Sequence, residues 1–185
     1  MAYSLEPAYT VRNQLTRKLV QASIDYKNQW FFTDGAFSAD QIVEYQPNTW
    51  LKDDFVVISN NKIIAFFSAQ WNNPLRIISS LRIIFFDKTK TIDCVKAVFD
   101  YFDYLFISRG CEVINWLVAD KNTHAKCIYH KFTQHYFGHI VGHRTRGQMS
   151  YSGDISNVTL FEITKEDFFN WKKRMSTNDN RILYP

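Results

Sequence analysis

The segment from Thr91 to Ser108 constrains the fold of this chain more than any other. Ile92, Val95, Val98, Phe99, Phe102, Leu105 and Phe106 recur at i, i+3, i+4 spacing. Such a stripe covers one wide face of an α-helix, so the helix must lie on an apolar surface. Gly110 ends it, as glycine beyond a helix C-terminus commonly does. Glu112 to Ala119 follows, with Val113, Ile114, Trp116, Leu117 and Val118, and predicts a strand buried on both faces. Thr123 to Tyr136 predicts another helix, with Ala125, Ile128, Tyr129 and Phe132 turned inward. A strand between two amphipathic helices implies a layered α/β domain.

The flanking segments supply the rest of a sheet. A short strand is expected near Tyr3 to Leu5. Thr10 is expected to cap a helix running to Trp30, with Val11, Leu15, Leu19, Ala22 and Tyr26 at helical spacing. Asp34-Gly35 breaks it, and Ser38 caps a short helix through Ile42, Val43 and Tyr45 that stops near Pro47. Phe55–Ser59 and Lys62–Trp71 read as a hairpin around Asn60-Asn61, since Asn tolerates the positive φ of a tight turn. Asn72-Asn73-Pro74 is a turn, and Ile77–Phe86 is a third strand. A strand begins at Gly138–His143, Ser152-Gly153-Asp154 is a turn, and Val158–Ile163 is the last strand. Asp167–Lys173 forms a terminal helix. No repeat or linker interrupts residues 1–175, which read as one domain, and 176–185 form a loosely held tail.

Composition narrows the partners. Of 185 residues, 46% are apolar and 17% aromatic, enough for a core without a metal or disulfide staple. The net charge of +4 is below the excess that signals nucleic acid. Cys94, Cys111 and Cys127 form no Cys-x-x-Cys pair, so buried free thiols in a reducing compartment are expected. No secretory signal is visible, and no apolar run approaches the roughly 20 residues of a membrane span. The expected location is cytoplasmic. Abundant Asn, Lys, Ile, Phe and Tyr fit an AT-rich genome, a phage or a low-GC bacterium, so host cytoplasm or virion is the phage equivalent.

One local motif stands out. Asn122-x-x-Ala125-x-x-x-Tyr129-x-Lys131 follows the 112–119 strand and opens the next helix. With the element order, it resembles the GCN5-related N-acetyltransferases across nearly the whole chain. The resemblance implies a single mixed, mostly antiparallel sheet of six to seven strands, flanked by about four helices, of the α/β (α+β) class. It also implies acetyl-CoA as co-substrate and an amine, small molecule or protein, as acceptor. The sheet would splay between its fourth and fifth strands. Tyr129 would protonate the departing thiolate, and a phenol with a pKa near 10 can do so. Backbone groups near Ile84 and Phe85 would hold the pantetheine arm, and Asn122 joins the cofactor-binding set.

The chain departs from the family in two places. The family's Gly-rich pyrophosphate loop corresponds to Phe86–Asp93, which contains no glycine. Lys88, Thr89, Lys90 and Thr91 offer charge and hydroxyls to a phosphate, while Asp87 and Asp93 would repel it. The strand 77–86 also lacks the Glu that serves many relatives as base. Asp120 is the nearest alternative, against the plainer reading of a capping or loop carboxylate. Glu44 is a weaker option. Tyr129 too has a plain reading, as a core aromatic.

The other candidates are weaker. His135, His139 and His143 share i, i+4 spacing, but Gly138 and Gly142 end the helix that a metal site would need. No metal is expected. Arg144, Arg146 and the Lys172-Lys173-Arg174 run read as solvated basic surface. Two functions compete: an acyl-CoA-dependent N-acetyltransferase, and a binding or structural protein that kept the fold without the chemistry, such as a virion component or a host-protein binder.

Overall fold

The computed structural model describes residues 3–25, 28, 30, 51–72, 75–150 and 152–177. The expected turn at Asp34-Gly35, the short helix at 38–45, Glu44 and most of the 176–185 tail lie outside them. Seven strands form one sheet: β1 (Tyr3–Pro7), β2 (Lys52–Ser59), β3 (Lys62–Asn72), β4 (Ile77–Phe85), β5 (Val113–Ala119), β6 (His139–Met149) and β7 (Ile155–Thr164). The spatial order is β1-β2-β3-β4-β5-β7-β6. Only β4 and β5 run parallel. The β2–β3 hairpin turns on Asn60 (φ 51°) and Asn61 (φ 58°), the pair of positive φ angles that a two-residue turn matched to strand twist requires.

Four helices flank the sheet among the described residues: α1 (Arg12–Ile24), α2 (Thr91–Asp103), α3 (Thr123–His135) and α4 (Lys165–Thr177). Helix α2 continues into a π-helical turn, Tyr104–Ser108. Gly110 then adopts φ +69°, as its place after the helix predicts. On one face of the sheet, Tyr101, Phe102, Leu105 and Phe106 pack with Phe67, Ile114, Trp116, Phe161 and Phe168. On the other face, Leu15 and Leu19 of α1 pack on Val56, Ile63, Phe66 and Ile84. None of these helices is long and apolar enough to cross a membrane.

A polar knot fastens the sheet where β4 begins. The buried Asp53 carboxylate of β2 accepts from Trp71 Nε1 at 2.7 Å, Arg109 Nε at 2.9 Å and Tyr104 Oη at 3.2 Å. Tyr101 Oη donates to the Asp53 carbonyl at 2.7 Å. The π-helical turn and Gly110 thus bring Arg109 back onto the starts of β2 and β4, and its guanidinium also lies 5.2 Å from the Trp71 ring centre.

Several expectations are corrected. Thr10 is not an N-cap: its hydroxyl donates to the Pro7 carbonyl within a 3₁₀ turn, Ala8–Val11, and α1 begins at Arg12 and ends at Ile24. Ile128 is 50% exposed, because α3 packs through the narrower stripe Ala125, Tyr129 and Phe132. Ile92 stays exposed in the first turn of α2. Cys127 is exposed on α3, while Cys94 and Cys111 are buried, and all three are free thiols. Strand β5 is not buried on both faces, since Leu117 is 38% exposed. Strand β6 runs to Met149 with its register broken near Val141 and again between Arg144 and Gln148.

Candidate functional site

The exposure of Leu117 traces to the pairing of β4 with β5. The two strands share only two register pairs, Ile77 with Val113 and Ile78 with Ile114. Beyond them β4 stays with β3 as far as Phe85–Ala65, and β5 stays with β7 as far as Ala119–Val158. The parallel strands therefore part, and a wedge opens toward their C-terminal ends. In open α/β sheets that is where ligands bind.

The wedge encloses about 180 Å³. Leu81 and Ile83 of β4 and Trp116 and Val118 of β5 line it, with Asn122, the N-cap of α3, and Ala125 and Tyr129 of that helix. Arg82, Leu117, Trp30 and Gln148 line it too, and Gln148 Nε2 donates to the Trp30 carbonyl at 3.4 Å. The lining comes from both sides of the sheet, because side chains alternate along β4 and β5.

Local chemistry places α3. The Asn122 side chain accepts from the Ala125 N–H at 3.2 Å, an N-cap that starts the helix beside the wedge. Tyr129 follows two turns later. Its ring lies 5.3 Å from Trp116 and 5.7 Å from Phe161, and burial pushes the phenol up to about 12.

Asp120 serves a structural bond. Its Oδ1 accepts from Lys126 Nζ and from Thr159 Oγ1, each at 2.8 Å, and Thr159 Oγ1 lies 3.3 Å from His143 Nδ1. The Lys126 ammonium holds the carboxyl below its ordinary value, which makes it a weak proton acceptor. Asp120 is not among the residues lining the wedge, and no Asp, Glu or His is among the described ones that do.

The loop before α2 differs from a phosphate nest. Asp87 Oδ1 accepts from the Thr89 N–H at 2.9 Å and from its hydroxyl at 2.7 Å. Thr91 Oγ1 donates to the Lys88 carbonyl at 2.7 Å. Thr89 and Thr91 are thus engaged within a 3₁₀ turn, Lys88–Lys90, and a carboxylate occupies the N–H that a phosphate would seek. Lys88 is exposed and Lys90 half-buried. Ile84 is buried against α1 and Phe85 is half-buried, while the described lining of the wedge reaches Ile83. The histidine series is split: His139 Nε2 lies 3.1 Å from Asp167, and His143 meets Thr159.

Solved structures share this architecture. A chimera of the Vibrio cholerae spermidine N-acetyltransferase with hSSAT superposes with a TM-score of 0.71 at 16% identity, over 92% of this chain and 99% of that one. The Vibrio cholerae spermidine N-acetyltransferase in complex with CoA and spermine gives 0.63 at 17% identity, over 91% and 98%. The chain has the GCN5-related N-acetyltransferase fold. No protein-family model and no curated protein matches its sequence. Within that fold, β4 and β5 part after two register pairs, and Asn122 caps the helix that carries Tyr129. Sequence reading missed Arg82, Trp116, Leu117 and Gln148 as lining residues. Gln148 lay past the 138–143 segment at which the strand was expected to begin, and the others became visible only once β4 and β5 were seen to part.

Proposed function

We propose that the chain is an acyl-CoA-dependent N-acetyltransferase, built as one domain over residues 1–175. The observation that carries this reading is the wedge itself, with the Tyr129 phenol on its wall. Past Ile78, β4 has no β5 neighbour, so its backbone can pair with the amides of a pantetheine arm as with a strand. The amine nitrogen attacks the thioester carbonyl, a C–N bond forms and the C–S bond breaks. Tyr129 gives its proton to the leaving sulfur and regains one from solvent. The amine sheds its proton to water, since the described lining holds no Asp, Glu or His to take it. Placement of the two reactants supplies much of the acceleration. The solved neighbour bound to CoA and spermine supports a small amine as acceptor.

A second reading, a binding protein without the chemistry, draws on the Asp87 seal at the start of α2. Thermal unfolding with acetyl-CoA separates the two. At about 100 times the dissociation constant, the ligand adds about 2.7 kcal/mol of stability, and the melting temperature rises by roughly 5–10 °C. No shift at millimolar acetyl-CoA favours the second reading. If acetyl-CoA binds, Asp87→Ala is expected to bind it several-fold more tightly, by freeing the Thr89 N–H and removing a charge. The same variant melts at a lower temperature without ligand, because the turn loses its cap. Unchanged or weaker binding would show that the phosphates lie elsewhere.

A further inference from the structure

Strand β4 is apolar except where the wedge begins, at Ser79, Ser80 and Arg82. Ile78 and Leu81 both pack into the core beneath α2, although residues three apart in a regular strand face opposite ways. The register explains this. Trp71 of β3 pairs with Ile78 and Gln70 with Ser80, so Ser79 is an extra residue, a β-bulge. Beyond it, Leu81 and Ile83 stay with the α2 core, and Ser80 shares the other face with Arg82 and with Ile84, which packs on α1. The last pair of β4 with β5 is Ile78 with Ile114. The bulge thus lies where the two strands part, and it turns Ser80 to the α1 side at that point. Bulges beside active sites re-aim side chains in this way.

Tyr129 stands on the opposite face. Its ring rests on Trp116, which is two residues past Ile114, as Ser80 is two past Ile78. Both Tyr129 and Ser80 line the wedge, so one hydroxyl stands on each face of the sheet at a similar level. The other polar side chains of the described lining are poor proton acceptors. Arg82 is a donor only. The Asn122 amide caps α3, and the Gln148 amide donates to the Trp30 carbonyl. Ser79 Oγ donates to the Gln70 carbonyl of β3 at 3.4 Å, on the side of β4 away from the gap. Ser80 is half-buried, and its hydroxyl meets no hydrogen-bond partner among the described residues.

We propose that Ser80 Oγ accepts a hydrogen bond from the acceptor amine and relays its proton to water. This rests on the acetyltransferase reading and names the group that handles the amine. With Tyr129 at the sulfur on the α2 side, the amine reaches the carbonyl carbon from the α1 side, where Ser80 stands. As the C–N bond forms, the nitrogen becomes acidic. It passes one proton to Ser80 Oγ while the hydroxyl passes its own to a water molecule. The C–S bond then breaks, the sulfur takes the Tyr129 proton, and Ser80 ends as it began.

Thiol release from acetyl-CoA, measured with a panel of alkylamines, diamines and amino acids, tests the relay. With the amine that wild type turns over fastest, Ser80→Ala is expected to lower kcat/KM about tenfold, the effect of losing one neutral hydrogen bond. Ser80→Thr keeps a hydroxyl on a side chain that suits a strand, and should restore most of the loss. Calorimetric titration should give both variants an affinity for acetyl-CoA within about twofold of wild type, because the hydroxyl touches the amine. The fold should tolerate Ser80→Ala, since no described group depends on this hydroxyl. The rise of kcat/KM with pH should keep its midpoint in Ser80→Ala, because a serine hydroxyl does not titrate in that range. Wild-type kcat/KM in Ser80→Ala, an equal loss in Ser80→Thr, weaker acetyl-CoA binding in Ser80→Ala or a displaced midpoint each overturns the proposal. Failure of wild type to bind acetyl-CoA, or to acetylate any amine of the panel while binding it, would instead overturn the acetyltransferase reading, so the two failures are distinct.

Discussion

Tyr129→Phe is expected to lower kcat for acetyl transfer by at least about 100-fold, with the dissociation constant of CoA within about twofold of wild type. A positioned general acid contributes roughly 10²–10⁴ in rate, and the substitution removes only the phenolic oxygen. The ring contacts with Trp116 and Phe161 survive, so the wall of the wedge keeps its shape. A phenol pushed up to about 12 is a weak acid beside an alkyl thiol near 8.5. However, the desolvation that raises the phenol also raises a thiolate departing in the same pocket, which narrows the gap. The sign of the pH dependence follows. Tyr129 stays protonated throughout pH 7–10, so no acid is lost there, while the acceptor amine deprotonates. kcat/KM should therefore climb with pH over that range. Steady-state kinetics on both proteins checks this, and wild-type turnover in the variant, or a decline between pH 8 and 10, would remove Tyr129 from the mechanism.

Asp53→Ala should cost about 3 kcal/mol of folding stability. Breaking a buried ion pair typically costs 3–5 kcal/mol, and the lower end applies because the Arg109 side chain is 38% exposed. The substitution also strands the indole N–H of Trp71 and the hydroxyl of Tyr104. Urea denaturation should show a lower midpoint with an unchanged slope. Lys172→Ala provides the contrast: its pair with Asp103 is more than a third exposed on both sides, so a change within about 0.5 kcal/mol is expected. A loss below 1 kcal/mol in Asp53→Ala would mean that the knot adds little. Because the knot lies where β4 starts, the variant should also loosen the closed end of the wedge and weaken ligand binding.

Much of the fold was legible because its signals are local. The 91–108 stripe, Gly110 and the Asn60-Asn61 turn each report their own conformation, and the structure agrees at each. Element order then pointed to one mixed sheet. Side-chain facing was harder to read where a tertiary contact is narrower than the apolar stripe, as at Ile128, or where a strand loses its neighbour, as at Leu117. The site divides in the same way. Asn122 and Tyr129 were singled out because their local motif resembles that of the acetyltransferase family, and both line the wedge. Asp120 looked available in sequence because Lys126 and Thr159, which hold it, are separated from it along the chain by 6 and 39 positions. Trp116 read as core and is core, and its unmet N–H is a three-dimensional fact that no spacing reveals.

One of the two edge strands, β6, carries a consequence for life in a crowded solution. A straight border of backbone N–H and C=O groups is a template on which stray chains can crystallise into fibrils. This border is crooked instead: its register slips twice, and Arg146 turns the backbone through φ 50°. Exposed Arg144 and Arg146 add like charge along it. Broken hydrogen-bond spacing and like charge both disfavour pairing of two copies through this edge.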